Sequence, residues 1–442
     1  MDMNTSLLRG WTSTSAYEEG YLRFPSVKEA KGIYLYGYDG KRYIDTKSQM
    51  MNVSFGHGIQ AFRDAVLRQW DQVAYIPTMD GHGNKAAEAF ADKLLGILPE
   101  DFKSVYCSGS GTSCCEVAVQ VARDFWLGRG RKEKKGIISI AGGYHGNSAM
   151  MSEISEYSEY NQAYRLNNRD EYLKVLQPYC YRCPLNSAPP ECGERCASLL
   201  RKQVKEFDTG KIGAIIFEAV QGNGMIALPH TYMETLSQLA REHDMLLIAD
   251  EVLTGFGRTG YDFAFQKYNI LPDIICLSKT ISNGLLPLGA TVFNGKITGM
   301  LRDKEIHIGS TQDGNPVCTA LGAAVIDHFT GFEWSLRVGE LGEYFLEALK
   351  KNFSEYPIVG DIRGTGLLIC IELVNDKAQK KPMEDMRSIH DGFIENGLFV
   401  FIEANYVYFV PPYTIDKSVI DYIISKLKAV LEEYIKVNSM FI

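Results

Sequence analysis

Two charged residues stand where two apolar runs end. Lys279 comes two residues after the run Ile274–Leu277, and Asp250 directly follows the run 246–249. An amine held beside a buried strand can form a Schiff base with an aldehyde cofactor, and a carboxylate on a neighbouring strand can neutralise a protonated ring nitrogen. Pyridoxal phosphate (PLP) requires such a pair. The alternative is that Lys279 is an ordinary solvated lysine, which is the commoner situation for lysines.

A third segment could bind a phosphate group. Residues 108–112 read Ser-Gly-Ser-Gly-Thr and precede a predicted helix that begins near Ser113. The free N–H groups at a helix N-terminus bind anions, and glycines let the backbone approach them closely. A dinucleotide-binding fingerprint would need a third glycine at position 114, where Cys114 stands. A purely structural glycine-serine turn remains the alternative.

Polar residues also follow two other apolar runs. The run 137–140 leads to Tyr144-His145-Gly146, and the run 214–217 is followed by Glu218 and then by Gln221. In open α/β sheets, ligands bind at the carboxyl ends of the strands. Because four runs deliver polar or aromatic residues in this way, we expect one site at a single edge of a sheet.

The elements that would position these residues alternate along the chain. Between about residues 60 and 325, apolar runs alternate with helical patterns such as 116–127 and 232–243. Runs without polar alternation indicate strands that are covered on both faces, which predicts an α/β fold with a mostly parallel sheet and flanking helices. The clearest runs are 137–140, 214–217, 246–249, 274–277 and 290–293.

The two ends of the chain have a different character. Residues 33–45 predict a β-hairpin with Asp39-Gly40 as its turn. Beyond residue 325, helical patterns at 334–352 and 418–434 accompany short strand patterns at 366–373 and 406–410. We therefore predict a large domain at 60–325 and a smaller α/β domain. The N-terminal part of the smaller domain would be 1–59 and its C-terminal part 326–442.

The composition excludes some classes of protein. The chain has 442 residues, of which 45% are hydrophobic and 23% charged, with a net charge of −8. These values are typical of a soluble globular protein. Because the chain lacks a long basic run, we do not expect a nucleic-acid partner. The N-terminus lacks a signal-peptide pattern, and no apolar stretch approaches the roughly 18 residues that span a bilayer. We therefore expect no membrane association and a cytoplasmic location.

Four of the ten cysteines lie close together in the sequence. They are Cys180, Cys183, Cys192 and Cys196, in a segment that is also rich in proline. Four thiols at short spacing could hold zinc, could form a redox-sensitive pair, or could simply be loop cysteines. Their spacing is irregular compared with that of a zinc ribbon, so we expect no resident metal.

Several longer motifs contain these candidate residues. They are Ser108 to Arg123, Tyr144 to Gly146, Glu218 to Gly222, Asp250 to Val252 with Gly255 to Gly260, Ser278-Lys279 with Pro287 to Ala290, Thr311 to Pro316, and Asp361 to Leu367. In this order they resemble the class III PLP-dependent aminotransferases, and the resemblance covers nearly the whole chain. It implies the type I fold of PLP-dependent transferases, with a mostly parallel seven-stranded sheet and a smaller α/β domain.

The resemblance also implies a role for each candidate residue. Lys279 would bind the cofactor as a Schiff base and shuttle a proton, and Asp250 would keep the ring nitrogen protonated. The other implied roles are phosphate binding by Gly111 and Thr112, ring stacking by Tyr144 and Val252, proximity of Gln221 to the ring hydroxyl, a phosphate contact from the neighbouring subunit by Thr311, a substrate-carboxylate clamp by Arg363, and pairing of Glu218 with that arginine when a substrate lacks an α-carboxylate. A phosphate contact across an interface implies an obligate homodimer.

The chain departs from the family pattern at two places. Thr112-Ser113-Cys114 replaces the usual Ser-Glu-Ala of the phosphate loop, and Met50-Met51 stands where related amine-using enzymes carry a bulky aromatic residue. Methionines are adaptable, so Met51 is a candidate substrate contact that could admit a different side chain. Ordinary core methionines remain the alternative.

The activity implied is a ping-pong amino transfer. The donor would be an omega-amino acid, an amine or an amino acid, and the acceptor a 2-oxo acid such as pyruvate or 2-oxoglutarate. A PLP-dependent amino acid racemase or epimerase, or an aminomutase, could use the same residues. A third alternative is a non-catalytic or metal-regulated binding protein built around the four cysteines.

Overall fold

The computed structural model of the chain describes residues 7–20, 23–156, 171–187, 192 and 195–439. The strands are β1 (Val27–Lys31), β2 (Tyr34–Gly37), β3 (Arg42–Asp45), β4 (Phe102–Ser108), β5 (Gly136–Ile140), β6 (Tyr172–Val175), β7 (Ile212–Phe217), β8 (Val220–Gln221), β9 (Ile226–Ala227), β10 (Leu246–Asp250), β11 (Ile274–Leu277), β12 (Gly289–Asn294), β13 (Val359–Thr365), β14 (Leu368–Asp376), β15 (Lys381–Pro382), β16 (Leu398–Phe399), β17 (Phe401–Glu403) and β18 (Tyr406–Phe409).

The helices lie mainly between the strands. They are α1 (Thr14–Glu18), α2 (Ser48–Met51), α3 (Gln60–Gln72), α4 (Lys85–Gly96), α5 (Gly111–Gly128), α6 (Ala149–Ile154), α7 (Arg195–Glu206), α8 (His230–Glu242), α9 (Gly295–Leu301), α10 (Pro316–Thr330), α11 (Trp334–Phe353), α12 (Arg387–Glu395) and α13 (Lys417–Ser439). Short 3₁₀ turns occur at Thr209–Lys211, Asn223–Met225, Ala264–Tyr268 and Lys279–Ser282. Among the described residues, no helix combines the length and the apolarity that crossing a membrane requires.

A seven-stranded sheet forms the centre of the molecule. Its strand order is β4-β12-β11-β10-β7-β5-β6, and only β12 runs antiparallel to its neighbours. The predicted α/β fold with a mostly parallel seven-stranded sheet is therefore confirmed. All five apolar runs that predicted strands lie in this sheet, in β5, β7, β10, β11 and β12.

Both faces of the sheet are covered, which explains why its strands lack polar alternation. Leu246 and Ile248 of β10 pack in the same apolar cluster as Val117 and Val121 of α5. The intervening Leu247 belongs to the cluster on the opposite face, which includes α8. Each strand residue thus buries its side chain against a helix, whichever way it points.

Two smaller sheets involve the ends of the chain. The β1-β2-β3 meander is joined by β16 through parallel pairing with β3, so residues below 59 and above 326 share one sheet. The other sheet has the order β13-β14-β18-β17 and is antiparallel. The division into domains at 59 and 326 stays a prediction.

The strand predicted at 366–373 begins too early. Gly366 lies in the turn between β13 and β14 with φ +56°, and a Cβ there would be 2.6 Å from the carbonyl oxygen of Arg258. A side chain would clash with this backbone, so glycine is required for the close approach. Apolarity alone did not reveal the turn, because Leu367 after it is also fully buried.

The parallel strands bring the candidate residues to one edge. Ala249 of β10 pairs with Phe217 of β7, and Asp250 pairs with Cys276 of β11. Since β5 runs parallel to β7, all four strands end on the same side. The residues that follow them in the sequence therefore converge.

Candidate active site

Lys279 occupies a strained backbone position at the end of β11. It has φ +48°, in the left-handed region that costs a residue with a side chain about 1–3 kcal/mol. The surrounding turn is held by hydrogen bonds. Asn283 Oδ1 accepts from the N–H of Phe55 at 2.9 Å, and its Nδ2 donates to the carbonyl of Gly56 at 2.9 Å. The turn thus fixes where the amine emerges.

The Lys279 amine is available to react. Within the described parts of the chain, it takes part in no hydrogen bond or ion pair. Burial lowers the pKa of Lys279, and Arg258 acts in the same direction, whereas the carboxylates of Asp250 and Glu218 oppose the shift. A lowered pKa increases the neutral, nucleophilic fraction of the amine.

Arg258 helps to hold the turn that carries Lys279. It is fully buried, and its guanidinium donates to the carbonyl of Pro411 at 2.6 Å and to Ser54 Oγ at 2.7 Å. Ser54 in turn lies 2.7 Å from the hydroxyl of Thr280. The residue after Lys279 is therefore tied to the C-terminal part of the chain.

Asp250 is held by three donors. His145 Nδ1 lies 2.7 Å from Asp250 Oδ2, and the backbone N–H of Val252 donates to Oδ1 at 3.1 Å. The thiol of Cys115 donates to Oδ2 at 3.4 Å. A carboxylate can only accept, so the contact at His145 requires a proton on Nδ1. These contacts orient the Asp250 carboxylate, which can then pair with a positively charged group of a ligand.

His145 and Cys115 are site residues that the sequence analysis did not single out. His145 stood in the Tyr144-His145-Gly146 motif, but the sequence does not show which way its ring points. Cys115 is the second residue after Ser113 in a helix, and its thiol reaches Asp250 only because α5 lies across β10. Their donor atoms and that of Asp250 lie within 4.8 Å of one another.

The phosphate loop forms the N-terminus of α5. Ser110 caps the helix by accepting from the N–H of Ser113 at 3.1 Å, so the helix begins at Gly111 rather than near Ser113. A Cβ at Gly111 would lie 2.8 Å from Val252 Cγ1, and one at Gly146 would lie 2.8 Å from the Thr112 hydroxyl. Gly111 and Thr112 thus lie directly beside the residues around Asp250.

Cys114 explains one departure from the family pattern. Its buried thiol lies 3.0 Å from Ser108 Oγ and donates to the carbonyl of Leu277 at 3.2 Å. The thiol therefore links the first turn of α5 to the end of β11, two residues before Lys279. The residue at position 289 must be glycine beside this thiol, because a Cβ at Gly289 would lie 2.4 Å from the Cys114 sulfur.

Glu218 is engaged by backbone groups. Its Oε2 accepts from the N–H of Tyr144 at 2.9 Å, and its Oε1 accepts from the N–H of Gly222 at 3.0 Å. Burial raises the pKa of Glu218; His145 opposes this shift and Asp250 adds to it. Both carboxylate oxygens are thus held by the main chain, and the pairing with Arg363 that is expected for substrates without an α-carboxylate stays a prediction.

Tyr144 and Gln221 each contact other protein groups. The ring of Tyr144 meets the ring of Trp11 edge-on, at a centroid separation of 6.3 Å. Gln221 donates to the carbonyl of Ala141 at 3.0 Å and accepts from Gln177 Nε2 at 2.9 Å. Both ends of the Gln221 amide are therefore already paired within the protein.

Arg363 lies in a separate group of charges, which we call the Glu372 cluster: Arg182, Asp361, Arg363 and Glu372. Arg363 Nη1 lies 2.9 Å from both Asp361 Oδ2 and Glu372 Oε2. Arg182 Nε donates to Glu372 Oε1 at 2.6 Å. Glu372 is fully buried, and Arg363 also packs over the ring of Tyr179 at 4.7 Å.

One turn connects the Glu372 cluster with Glu218. Gly222 donates to Glu218, while Gly224 offers its carbonyl to Arg363 Nε at 2.5 Å. The sequence alone could not predict that Glu218 and Arg363 have separate partners, because both residues belong to motifs of the same family resemblance.

Met51 and Thr311 take very different positions. Met51 has φ +60° and packs against an apolar cluster of Val220, Met225, Leu253, Leu368, Cys370, Tyr408 and Val410. Thr311 is exposed, and its carbonyl accepts from the hydroxyl of Tyr75 at 2.7 Å. Among the described residues, Thr311 contacts no other candidate site residue through a hydrogen bond.

The carboxyl edge of the sheet offers partners for three different chemical groups of one ligand. Lys279 offers a neutral amine for an aldehyde, Asp250 offers an oriented carboxylate for a protonated ring nitrogen, and the α5 N-terminus at Gly111 offers N–H groups for a phosphate. PLP carries these three groups on one ring, so the residues present fit it.

Comparison with known proteins agrees with this fit. Residues 16–431 match the family model for class III aminotransferases. The chain is 30% identical to an adenosylmethionine-8-amino-7-oxononanoate aminotransferase of Geobacter sulfurreducens, over 97% of this chain and 98% of the relative. It is 26% identical to a putrescine–pyruvate aminotransferase of Pseudomonas aeruginosa, over 92% and 90%.

Solved structures give the same result. An amine transaminase from an uncultivated Pseudomonas species, with PLP bound, has a TM-score of 0.91 and 28% identity, covering 97% of this chain and 99% of the other. An (S)-enantioselective omega-transaminase of Thermomicrobium roseum has a TM-score of 0.92 and 28% identity, covering 98% and 97%.

The chain therefore belongs to the class III aminotransferases. It is a PLP-dependent transaminase, and its fold is that of the type I PLP-dependent transferases. The predicted family, enzyme class and cofactor are thus confirmed. When bound, PLP supplies an electron sink for the substrate carbon.

Proposed function

We propose that the chain moves the amino group of an omega-amino acid or a terminal amine to a 2-oxo acid, pyruvate or 2-oxoglutarate, in two half-reactions. The observation that carries this choice of donor is Met51, which is partly buried and packs on an apolar cluster next to the Glu218 turn. Leu253 connects the two, because it lies 3.2 Å from where a Cβ of Gly222 would stand. An apolar side chain such as that of Met51 suits a donor whose amine is distant from any charge.

The related proteins support the same donor class. A putrescine–pyruvate aminotransferase and a vanillin aminotransferase of Capsicum annuum, 28% identical over 90% of this chain, carry names that refer to substrates outside the common α-amino acids. Several similar structures are omega-transaminases, two of them variants engineered for the synthesis of bulky amines.

In this proposal, each residue at the sheet edge has one task. Lys279 binds the cofactor and moves the proton at the substrate carbon, and Asp250 keeps the ring nitrogen protonated. Gly111 and Thr112 hold the phosphate. Tyr144 and Val252 would hold the ring by stacking, Gln221 would bind near its hydroxyl, and Glu218 would pair with Arg363 when a substrate lacks an α-carboxylate. His145 and Cys115 position Asp250.

Arg363 would recognise the carboxylate of the acceptor. It is tied to Asp361, whose side chain is 29% exposed, and to Glu372, which is 0% exposed. The exposed partner is the easier one to replace, so a substrate carboxylate would displace Asp361 and leave Glu372 in place. A guanidinium suits this exchange because its donors form a planar fork.

We also propose that the working unit is a homodimer. Exposed apolar side chains lie on and after α3, including Leu67, Trp70 (63% exposed), Val73 and Tyr75. Contiguous apolar surface of this kind marks protein interfaces. Tyr75 binds Thr311, so a second copy seated here would carry Thr311 to the partner's phosphate loop. We retain the cytoplasm as the proposed location.

A half-reaction tests the proposed activity. The purified enzyme is mixed with a diamine or an omega-amino acid without any acceptor, and the cofactor spectrum and the products are followed. Lasting conversion of PLP to its aminated form, with release of an oxo product, is expected. A racemase or aminomutase would instead return to the starting spectrum with an altered substrate.

Acceptor preference and assembly are then measured separately. Pyruvate and 2-oxoglutarate are compared as acceptors for each active donor. Light scattering gives the mass in solution, where Trp70→Asp should shift the enzyme toward a monomer that binds PLP more weakly. A wild-type enzyme that is monomeric and fully active would refute the homodimer.

A further inference from the structure

The short α2 segment, Ser48–Met51, has a strained backbone. Ser48, Gln49 and Met51 have φ values of +48°, +58° and +60°, which residues with a side chain rarely adopt. Gln49 also has ψ −103°, outside the conformations that are normally open to such residues. Strained residues persist only where the surrounding structure holds them, and they concentrate at functional sites. Contacts with the rest of the protein must therefore hold α2 in this form.

Asp45, at the end of β3, holds the start of α2. Its side chain is fully buried, and its carboxylate accepts from the N–H of Gln49 at 3.1 Å and from Gln49 Nε2 at 2.9 Å. His57 Nε2 lies 3.3 Å from Asp45 Oδ2, and because a carboxylate only accepts, this contact requires a proton on Nε2. Asp45 thus binds Gln49 through both its main chain and its side chain.

Two serines anchor the chain on either side of the methionines. Ser48 Oγ donates to the main-chain carbonyl that follows β18, at 2.7 Å. Ser54 Oγ lies 2.7 Å from the hydroxyl of Thr280, the residue after Lys279. The chain from Asp45 to Ser54 is therefore fixed at both ends, and its second end is fixed to the turn that carries Lys279.

A cavity of about 480 Å³ is lined both by residues of this segment and by the turn that follows Lys279. Its lining includes Gln49, Met50, Asn52, Asn283, Gly284 and Leu285. The volume is in the range of small-molecule sites, roughly 300–1,000 Å³. Met50 is 61% exposed and Leu285 47% exposed, so two apolar side chains stand open at this cavity. Such side chains suit the methylene chain of a long substrate.

We propose that Asp45 is a positioning residue for donor recognition. It holds α2 in its strained form, so that Gln49 and Met50 keep their places in the wall of the cavity. The distal part of a long amine donor, away from its reacting amine, lies in this cavity. The role rests on the proposed donor class, for which it supplies the residue that shapes the site.

Asp45 acts through its neighbours rather than by touching the donor. It is fully buried and is not part of the cavity lining, whereas Gln49 and His57, which it binds, both belong to that lining. Loss of the Asp45 carboxylate should therefore loosen one wall of the cavity and leave the Lys279 turn in place.

Hydrogen exchange of the PLP-bound enzyme tests whether Asp45 holds α2. Asp45→Asn introduces an amide N–H among the donors of Gln49 and His57, so at least one of these contacts is lost. Exchange of the amides at 49–53 should become at least about tenfold faster, while the amides at 280–283 stay as protected as in the wild type. Unchanged exchange at 49–53 in the folded variant would overturn the proposal.

Kinetics with donors of different length test recognition. Alanine and a series of omega-amino acids and diamines are compared, with pyruvate as the acceptor. In Asp45→Asn, KM for the longest donor should rise about tenfold, as for the loss of one well-packed apolar contact. KM for alanine and for pyruvate should change less than about twofold, because these short substrates do not extend into the cavity. Equal changes for short and long donors would reveal a merely structural role and contradict the proposal.

Asp421→Asn is the matched control for the aspartate. Asp421 is exposed on α13 and accepts from the hydroxyl of Tyr344 at 2.6 Å, so its substitution should alter neither exchange at α2 nor any KM. A wild-type enzyme that accepts no donor longer than alanine would refute the proposed donor class. The exchange measurement would still decide whether Asp45 holds α2.

Gln49→Gly covers the case in which Asp45→Asn does not fold. Glycine adopts positive φ without a steric cost, so this variant relieves strain while it removes the side-chain bond to Asp45. Its melting temperature should not fall below that of the wild type, yet KM for the longest donor should rise about fivefold. Asn269→Gly, at an exposed position with φ +51°, is the control for strain relief and should leave KM unchanged. A wild-type KM in Gln49→Gly would overturn the proposal.

Discussion

The PLP-binding edge and the Glu372 cluster both gather charged side chains, but they satisfy them in opposite ways. At the edge, Lys279 lacks a hydrogen bond or ion pair from the described residues, and burial shifts its pKa. In the Glu372 cluster, each charge has a partner of opposite sign within about 3 Å. Among the described residues, the PLP-binding edge thus leaves the Lys279 amine unpaired, whereas the Glu372 cluster pairs its charges with one another.

We infer from this difference that the PLP-binding edge serves catalysis, whereas the Glu372 cluster serves mainly to hold the structure. A buried amine without a partner is costly to maintain, and such perturbed groups mark functional sites. A buried carboxylate with two guanidinium partners is stable only as a complete set, because removal of one partner leaves an uncompensated charge. We therefore expect substitutions at the edge to affect turnover, and substitutions in the cluster to affect stability or substrate affinity.

Lys279→Ala tests the edge and should have the largest effect. Loss of the amine removes both cofactor attachment and proton transfer, so kcat should fall by at least about 10³-fold. The absorbance of the Schiff base should also disappear. Steady-state kinetics and the visible spectrum are measured beside Lys296→Ala, an exposed lysine on α9. Full turnover in the Lys279 variant would refute its role.

Glu372→Gln tests the cluster. It leaves two arginines without their shared carboxylate, which should cost about 3–5 kcal/mol of unfolding free energy. Calorimetry is compared with Glu384→Gln, whose carboxylate pairs with Lys381 at an exposed site and should contribute at most about 1 kcal/mol. Equal stability of the two variants would show that the cluster is no scaffold.

The pH dependence of cofactor binding refines the account of Lys279. Only a neutral amine attacks an aldehyde. Since burial lowers the pKa of Lys279, recombination of the apoenzyme with PLP should reach half its maximal rate below about pH 10.4, the ordinary lysine value. Glu218→Gln removes a charge that raises this pKa, so the midpoint should move lower still.

The measurement uses stopped-flow absorbance over a pH series, with a free lysine derivative as the reference amine. A midpoint at or above that of the reference would contradict the description of the Lys279 environment. A midpoint that stays the same in Glu218→Gln would show that Glu218 does not act on the amine.

Asp361→Asn should have the smallest effect. It tests whether Arg363, a member of the Glu372 cluster, also binds the substrate of the PLP-binding edge. It removes a carboxylate that competes for Arg363, so KM for the 2-oxo acid should fall by about twofold to fivefold, equivalent to ~0.5–1 kcal/mol for a partly exposed pair. Asp376→Asn, at the far end of β14, is the control. An unchanged KM would argue that Arg363 does not bind the acceptor.

Much of the PLP-binding edge could be predicted from sequence. Lys279, Asp250 and Glu218 each follow an apolar run, and parallel strands must end on one side of a sheet. The strand register then places Asp250 beside Cys276 and near β7. His145 and Cys115 could not be predicted in the same way, because side-chain direction on a loop and a helix depends on packing.

The Glu372 cluster was beyond the reach of sequence reasoning. Arg363 and Asp361 are two residues apart, but Arg182 is 190 residues from Glu372. Ion pairs between such distant residues follow from how the turn after β6 packs on β14. A substrate clamp at Arg363, and its pairing with Glu218 for substrates without an α-carboxylate, stay predictions. The ion pairs of Arg363 with Asp361 and Glu372 are visible only in the structure.

By itself, the sequence determined the fold class: runs of apolar residues require a sheet covered on both faces, and the residues that follow them must meet at its edge. Only the tertiary structure decided which of the charged groups are open and which are paired. The physical reason is that the positions of strands and helices follow from local patterns, whereas the burial and partners of a side chain depend on elements far away in the chain.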